Sequence, residues 1–373
     1  MKNIFMSNMF SALIRPRPFL HLWRKSLRSP SRKFFPLLGI DISTSAVKLL
    51  ELSQVGDRTW LKHYTIESLP PSIVVDNKIE AIEDLSQVLK KIIKRSGIQT
   101  KKVATAIPSS AAITKVISVL ANLSGRELEV QVELEAEQYI PYPLDEVNLD
   151  FEVLGPSAKD PEAMEVLLVA CRKEYIDARV AALVLAGLTP TVVDIDVYGI
   201  ERALMMSQGE EKTIVVADMG AVLTTIHVLH DHKVIYTREQ LFGGNRLTEE
   251  IQRHYDLSYE KAHLAKRYGG LPENYIPDIL EPFKQAVAQH IKRELQFFFS
   301  STHYHNIDHI VLTGGCASIQ GIDKLVESVV EISTVIANPF MGMALASGID
   351  ANLLRNDAPA LVVACGLALR GLD

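Results

Sequence analysis

The chain lacks any run of the roughly 18–20 consecutive apolar residues that a helix needs to cross a bilayer; its longest apolar stretches are broken by Gly, Pro or charge. It also lacks a C-x-x-C pair. Cys171, Cys316 and Cys365 lie far apart, each in an apolar stretch, and read as reduced core residues rather than a disulfide frame. His303, His305 and His309 have no Cys or acid at metal-ligand spacing, which argues against a metal centre there. Acid is absent from residues 1–35, which carry Lys2, Arg15, Arg17, Arg24, Lys25, Arg28, Arg32 and Lys33. The rest of the chain is therefore more acidic than the formal charge of -6 suggests, and this opposes a nucleic-acid surface on the body.

Aromatic residues Phe5, Phe10, Phe19, Trp23, Phe34 and Phe35 are mixed among those bases, while Pro16, Pro18 and Pro30 interrupt any long helix. Residues 1–35 read as a basic, disordered leader, with Met6 and Met9 as alternative starts. A membrane-touching arm and a partner-binding tail are the alternatives.

The folded body begins at Pro36. LLGIDI (37–42) and VKLLEL (47–52) are apolar runs joined by Ser43-Thr44-Ser45-Ala46, the pattern of a β-hairpin, and residues 59–66 extend it to a meander. Residues 79–95 show helical spacing of Ile and Leu, with Gly97 as the stop. Ser124 and Glu127 form a capping-box pattern for a helix running to about Tyr139, on which Leu128, Val132 and Tyr139 are expected to pack inward. Residues 106–188 look like a small α/β unit. TIVVADMG, TTIHVLH and KVIYTRE then repeat the opening pattern, so the fold reads as internally duplicated. Phe297, Phe298 and Phe299 read as core near a helix end.

Chemistry is concentrated at three places. Asp41 ends a strand and Ser43, Thr44 and Ser45 follow it; small residues let backbone amides approach an anion, and a carboxylate can hold a hydrated Mg²⁺. Asp218, Gly220, Ala221 and Thr224 repeat the plan, so two facing hairpins make a phosphate clamp with a metal between Asp41 and Asp218. Leu312-Thr313-Gly314-Gly315 is a strand running into a double glycine that can approach a base or an α-phosphate closely.

This order resembles the actin/hexokinase/DnaK-chaperone superfamily. GIDISTSAVKLLEL, YIPYPLDEVNLDFEVLG, FGGNRLTEEI and APALVVACGLALRGLD are similar within it to the PilM family of type IV pilus assembly proteins, a resemblance covering residues 36–373. It implies an α/β, two-lobed actin-like (ribonuclease H-like) ATPase fold. The first lobe would be 36–105, completed by 189–212 and 345–373, with 106–188 as an inserted subdomain and 213–344 as the second lobe.

The resemblance further implies an ATP and Mg²⁺ site. Lys48 joins Asp41, Ser43, Thr44 and Ser45 in the first phosphate loop, Gly243, Gly244 and Asn245 form the turn opening a helix under the nucleotide, and Gly314, Gly315 and Ser318 contact adenosine. Lys266 matches the lysine of the family's A-E-x-x-K helix, whose acid is replaced here by His263, and Ser43 stands where a Gly is usual. No acid has a sequence context that assigns it to water activation, so binding with little or no turnover is expected.

The implied role is a cytoplasmic scaffold for pilus biogenesis and twitching motility. It would bind the N-terminal cytoplasmic peptide of PilN in a groove between the first lobe and the small subdomain, and so couple the motor to the inner-membrane alignment complex. The pilus motor ATPase as a second partner, membrane association through partners and homo-oligomerisation belong to the same expectation. A small-molecule kinase, an FtsA-like cell-division protein and a type II secretion assembly protein are the rivals; a kinase needs a catalytic Asp beside a hydroxyl.

Overall fold

The computed structural model describes residues 35–158, 160–205 and 213–372, so the reading of the basic leader lies outside the described residues. Five strands build the first sheet before its duplicate begins: β1 (Leu38–Ile42), β2 (Ala46–Val55), β3 (Arg58–Ser68), β6 (Lys102–Ile107) and β10 (Thr189–Ile195). The two-stranded hairpin β4 (Val74–Val75) and β5 (Lys78–Ile79) and the subdomain strands β7 (Ala112–Leu120), β8 (Val147–Pro156) and β9 (Ala163–Arg172) lie between them in sequence. The second sheet contains β11 (Thr213–Met219), β12 (Thr224–His230), β13 (Lys233–Gln240), β14 (His309–Thr313) and β15 (Thr334–Ile336). The short β16 (Ala344–Leu345) returns to the first sheet beside β3.

Duplication is visible in the strand order. The first sheet runs β10-β6-β1-β2-β3 before β16, and the second runs β15-β14-β11-β12-β13. Each is an antiparallel meander flanked on its first strand by two parallel strands. The strands β1 and β11 are therefore equivalent, and each carries its acid, Asp41 or Asp218, as its penultimate residue. Both strands are buried almost throughout, as their near-continuous apolar sequences require of strands covered on both faces.

Ten helices are described: α1 (Ile82–Ser96), α2 (Gly125–Ala136), α3 (Lys173–Leu185), α4 (Asp196–Met205), α5 (Gly244–Tyr255), α6 (Tyr259–Tyr268), α7 (Glu281–Ser301), α8 (Ile322–Val330), α9 (Ala351–Asp357) and α10 (Val362–Leu369). The apolar α10 is buried at every position against β1 and α4. Contact with α4 is at glycine: a Cβ on Gly366 would stand 1.8 Å from the carbonyl oxygen of Gly199. The buried carboxylate of Asp194, at the end of β10, ties this region together by accepting from Arg370 at 2.9 Å and Arg202 at 3.4 Å.

Packing corrects several expectations. The small subdomain is the sheet β7-β9-β8 with α2 on one face. Chain contiguity assigns α3 to this unit, but α3 packs with α1 in the first-lobe core. Ser124 precedes α2 but caps nothing with its hydroxyl; its carbonyl accepts the Glu127 amide instead. Leu128 and Val132 face inward with Ala136, but Tyr139 is exposed because the helix ends at Ala136 and the stripe loses its period. Phe298 is fully buried, while Phe297 is exposed under the Arg238 guanidinium. Of the cysteines, Cys171 and Cys365 are core residues and Cys316 is only partly buried. No helix among the described residues is long and apolar enough to cross a membrane.

Candidate functional site

The C-terminal ends of β1, β10, β11 and β14 open onto a cleft of about 1810 Å³ between the lobes, where parallel strands of open α/β sheets collect ligands. Asp41, Ser43, Thr44, Ser45 and Lys48 line it from the first hairpin, and Asp218, Gly220 and Ala221 from the second. Gly244, Asn245 and Lys266 line one wall, and Gly314, Gly315 and Ser318 another. Thr224 and Gly243 do not.

The first hairpin closes through Ser43, whose amide and hydroxyl both donate to the Ala46 carbonyl at 3.0 Å. Ser43 is absent from the positive-φ residues, so the loop forms without the glycine that is usual there. Register places Asp41 opposite Lys48, and the ammonium donates to Oδ2 of Asp41 at 2.7 Å. Burial opposes the charge of Lys48, yet Asp41, by charge and hydrogen bond, and Asp218 outweigh it and raise its pKa.

In the second hairpin the residue opposite Asp218 is Thr225, which lines the cleft. The hydroxyl of Thr224 points away and donates to the Phe242 carbonyl at 2.6 Å, since adjacent strand residues face opposite sides. Behind this hairpin, Gly244 and Asn245 donate their amides to the carbonyls of Gly220 and Ala221 at 3.0 and 2.8 Å. The glycine turn thus buttresses the loop of the second hairpin, and Gly243 is where a Cβ would meet Ala221 O at 2.5 Å.

Asp218 accepts from the Thr313 hydroxyl at 3.0 Å, and burial raises its pKa. Gly314 follows with φ +84°, and a Cβ there would stand 2.5 Å from Met219 O and 2.7 Å from Asp218 Oδ1. Glycine is thus required on both counts. Lys266 bonds Gly244 O at 3.0 Å and Thr248 Oγ1 at 2.6 Å, and its pKa is lowered by burial. Nδ1 of His263 is buried with no hydrogen-bond partner; burial, Lys266 and Arg267 keep the imidazole neutral by lowering its pKa. Ser318 donates to Asn356 O at 2.7 Å, and the Cys316 thiol meets Gly220 O at 3.4 Å.

Sequence reasoning missed Asp196. It lines the same cleft from the first residue of α4. Its Oδ1 accepts the Val197 amide at 2.7 Å, the Ser109 amide at 3.0 Å and the Ser109 hydroxyl. Burial pushes its pKa up to about 7; the Ser109 bond opposes the shift and the charges of Asp218 and Asp41 add to it. The available signal was an acid at the C-terminal end of a strand, directly after β10 here and one residue before the end of β1 and β11 for Asp41 and Asp218. Arg179 was missed too: fully buried, its guanidinium donates to Ala106 O and Tyr175 O, both at 3.0 Å, and to Asn77 O at 3.5 Å. At the cleft mouth Asp357 of α9 faces Tyr64 of β3 at 3.4 Å and Arg267 of α6 at 4.0 Å.

A second groove of about 610 Å³ lies under β7. It is lined by Thr114 and Val116 of β7, Val197 and Tyr198 of α4, and Val234–Thr237 of β13. Both β7 and β13 are edge strands, so among the described residues neither outer edge is paired. The groove is thus walled by the subdomain, the first lobe and the second lobe.

The arrangement can hold a polyanion between two small-residue hairpins, with a cation near two carboxylates. Residues 39–372 match the family described as type IV pilus assembly protein PilM. The structure is similar to that of a PilM-PilN type IV pilus biogenesis complex, with a TM-score of 0.77 and 28% identity, covering 91% of this chain and 100% of that one. It is also similar to the ethanolamine utilization protein EutJ from Carboxydothermus hydrogenoformans, with a TM-score of 0.56 and 16% identity over 97% and 96% of the two chains. Cell division protein FtsA of Enterococcus hirae is 22% identical over 81% of this chain and 78% of its own length. With the duplicated actin-like fold, the two equivalent acids and a match over nearly its whole length, the chain belongs to the PilM family of type IV pilus assembly proteins.

Proposed function

We propose that this protein is a nucleotide-holding scaffold of type IV pilus biogenesis that captures the N-terminal cytoplasmic peptide of PilN and links the cytoplasmic motor to the inner-membrane assembly. The observation that carries the reading is the equivalence of Asp41 and Asp218 in one cleft, with Lys48 against the first and Thr313 against the second. These residues fit Mg-ATP. Lys48 offers charge to a phosphate, the two carboxylates suit a hydrated Mg²⁺, and Gly315 lines the cleft with open space where a Cβ would stand. When bound, the metal would screen phosphate charge; the protein's part is to orient the chain of phosphates between the hairpins.

For the peptide we place the groove between β7 and β13. An extended segment can bond to an unpaired strand edge, and Val116, Val234, Ile235 and Tyr198 give it apolar pockets. This supports an extended peptide as the partner, and a PilN tail held there would attach the protein to the cytoplasmic face of the inner membrane. Anisotropy of a labelled N-terminal PilN peptide tests the assignment: binding that is lost in Val116→Glu supports it, and undiminished binding in that variant contradicts it.

A second reading, slow hydrolysis with Asp196 placing the attacking water, is favoured by one observation. A carboxyl with a pKa near 7 is matched to proton transfer at neutral pH. Against rapid turnover, Oδ1 of this carboxyl is already engaged by three donors.

A further inference from the structure

The cleft and the groove meet at a two-serine hinge. The small subdomain leaves the first lobe through residues 108–111 and returns at Arg172 and Lys173. Ser109 and Ser110 at the outgoing joint are held by different bodies. Ser109 gives its amide and its hydroxyl to Oδ1 of Asp196, in the first lobe. Ser110 accepts from Asn77 Nδ2 at 3.3 Å and lines the groove with Glu239 of β13, in the second lobe, whose charged form its hydroxyl and amide favour. Glu239 lines both cavities.

The carboxylate of Asp196 is thus divided. Oδ1 is committed to the hinge and to the start of α4, while Oδ2 bonds no described residue and Asp196 lines the cleft with Asp41 and Asp218. A carboxylate is planar, so turning Oδ2 of Asp196 toward the cleft moves Oδ1 as well and either carries Ser109 with it or breaks the bonds between them. Ser109 is three residues before β7, which forms one wall of the groove. Any shift of the second lobe reaches the same hinge through Glu239 and Ser110.

We propose that Asp196 and Ser109 form a latch through which the state of the nucleotide cleft sets the position of β7 and hence the affinity of the groove for its peptide. The proposal rests on the scaffold reading for the identity of the two ligands. Coupling between sites is reciprocal and commonly amounts to about 5–150-fold in affinity. Nucleotide should therefore change peptide affinity by a factor in that range, and peptide should change nucleotide affinity by the same factor.

The test uses the full chain, a labelled N-terminal PilN peptide from the same cell, and Mg-ATP. Peptide affinity is measured with and without nucleotide in the wild type, Ser109→Ala and Ser109→Thr, and amide hydrogen exchange of residues 112–120 is followed with and without Mg-ATP in the absence of peptide. The expected result is a coupling ratio of about 5 or more in the wild type, clearly lower in Ser109→Ala, which keeps only the amide bond to Asp196, and restored by Thr; the nucleotide-dependent protection of β7 follows the same order. Wild-type coupling and protection retained in Ser109→Ala would overturn the latch, as would a wild-type β7 that does not respond to Mg-ATP. If the peptide binds no variant while β7 protection still responds in the wild type and clearly less in Ser109→Ala, the latch stands and the peptide reading falls. Ser110→Ala, which removes the hydroxyl from the Glu239 arm, is the second variant, and should lower the ratio even if Ser109→Ala folds poorly.

Discussion

The ammonium of Lys48 stands 2.7 Å from Oδ2 of Asp41, directly across the first hairpin. Both side chains are mostly shielded from water, and the lysine is held charged by Asp41 and Asp218 against the pull of burial. The pair fixes a positive charge at the hairpin that faces the cleft. Replacing Lys48 with Ala removes that charge and leaves Asp41 without its partner. Hydrogen bonds to charged groups are worth about 1.5–3 kcal/mol, so Mg-ATP affinity, measured by calorimetry, should fall by about 10–100-fold with the far-ultraviolet dichroism unchanged.

Gly314 lies in the left-handed region with Asp218 and the Met219 carbonyl pressed against it. Ala at this position would have to adopt φ +84° and displace backbone. Strained backbone of this kind costs about 1–3 kcal/mol, so Gly314→Ala should lower the urea midpoint and also abolish stabilisation by nucleotide. Gly315 is the control, because a Cβ added there would meet no atom within 4 Å, and Gly315→Ala should leave the midpoint nearly unchanged.

The ion cluster of Asp194 with Arg370 and Arg202 is buried between β10 and the end of α10. Removing one partner of a buried pair leaves an unpaired charge, at a cost of about 3–5 kcal/mol. Asp194→Ala should show this loss in denaturant unfolding, and a double-mutant cycle with Arg370→Met should recover part of it.

Asp196 gives a pH dependence whose sign is fixed. Its folded pKa is raised from 3.8 to about 7, so between those values the unfolded chain has released a proton that the folded chain keeps. This carboxyl therefore makes the fold less stable as pH rises from about 4 to 7, and its effect is constant above that. Urea unfolding of the wild type and Asp196→Asn at pH 5 and pH 8 checks it: the variant should gain on the wild type at pH 8, whereas an equal difference at both values would contradict the assignment.

Much of this was legible because the repeated unit is short and local. The runs around Asp41 and Asp218 are buried strands joined by small residues, and apolar runs with small-residue turns identify such hairpins from sequence. Side-chain direction was harder. A one-residue error of register separates Thr224, which bonds Phe242, from Thr225, which faces Asp218, since neighbouring strand positions point to opposite faces. Asp196 was hidden for another reason: its place in the cleft depends on β10 lying beside β6 and so near β1, a neighbourhood created by the sheet and not by the chain. The same applies to α3, which follows the subdomain in sequence but packs on α1.

Thermal unfolding of the purified protein with Mg-ATP, beside an Asp218→Ala variant and with phosphate release followed in the same samples, tests the central claim most directly. At about 100 times its Kd the nucleotide should stabilise the wild type by roughly 2.7 kcal/mol, do nothing for Asp218→Ala, and be released as phosphate only slowly. An unshifted wild-type transition would contradict the nucleotide-holding scaffold, and rapid phosphate release stimulated by a small hydroxylated substrate would contradict it in favour of a kinase.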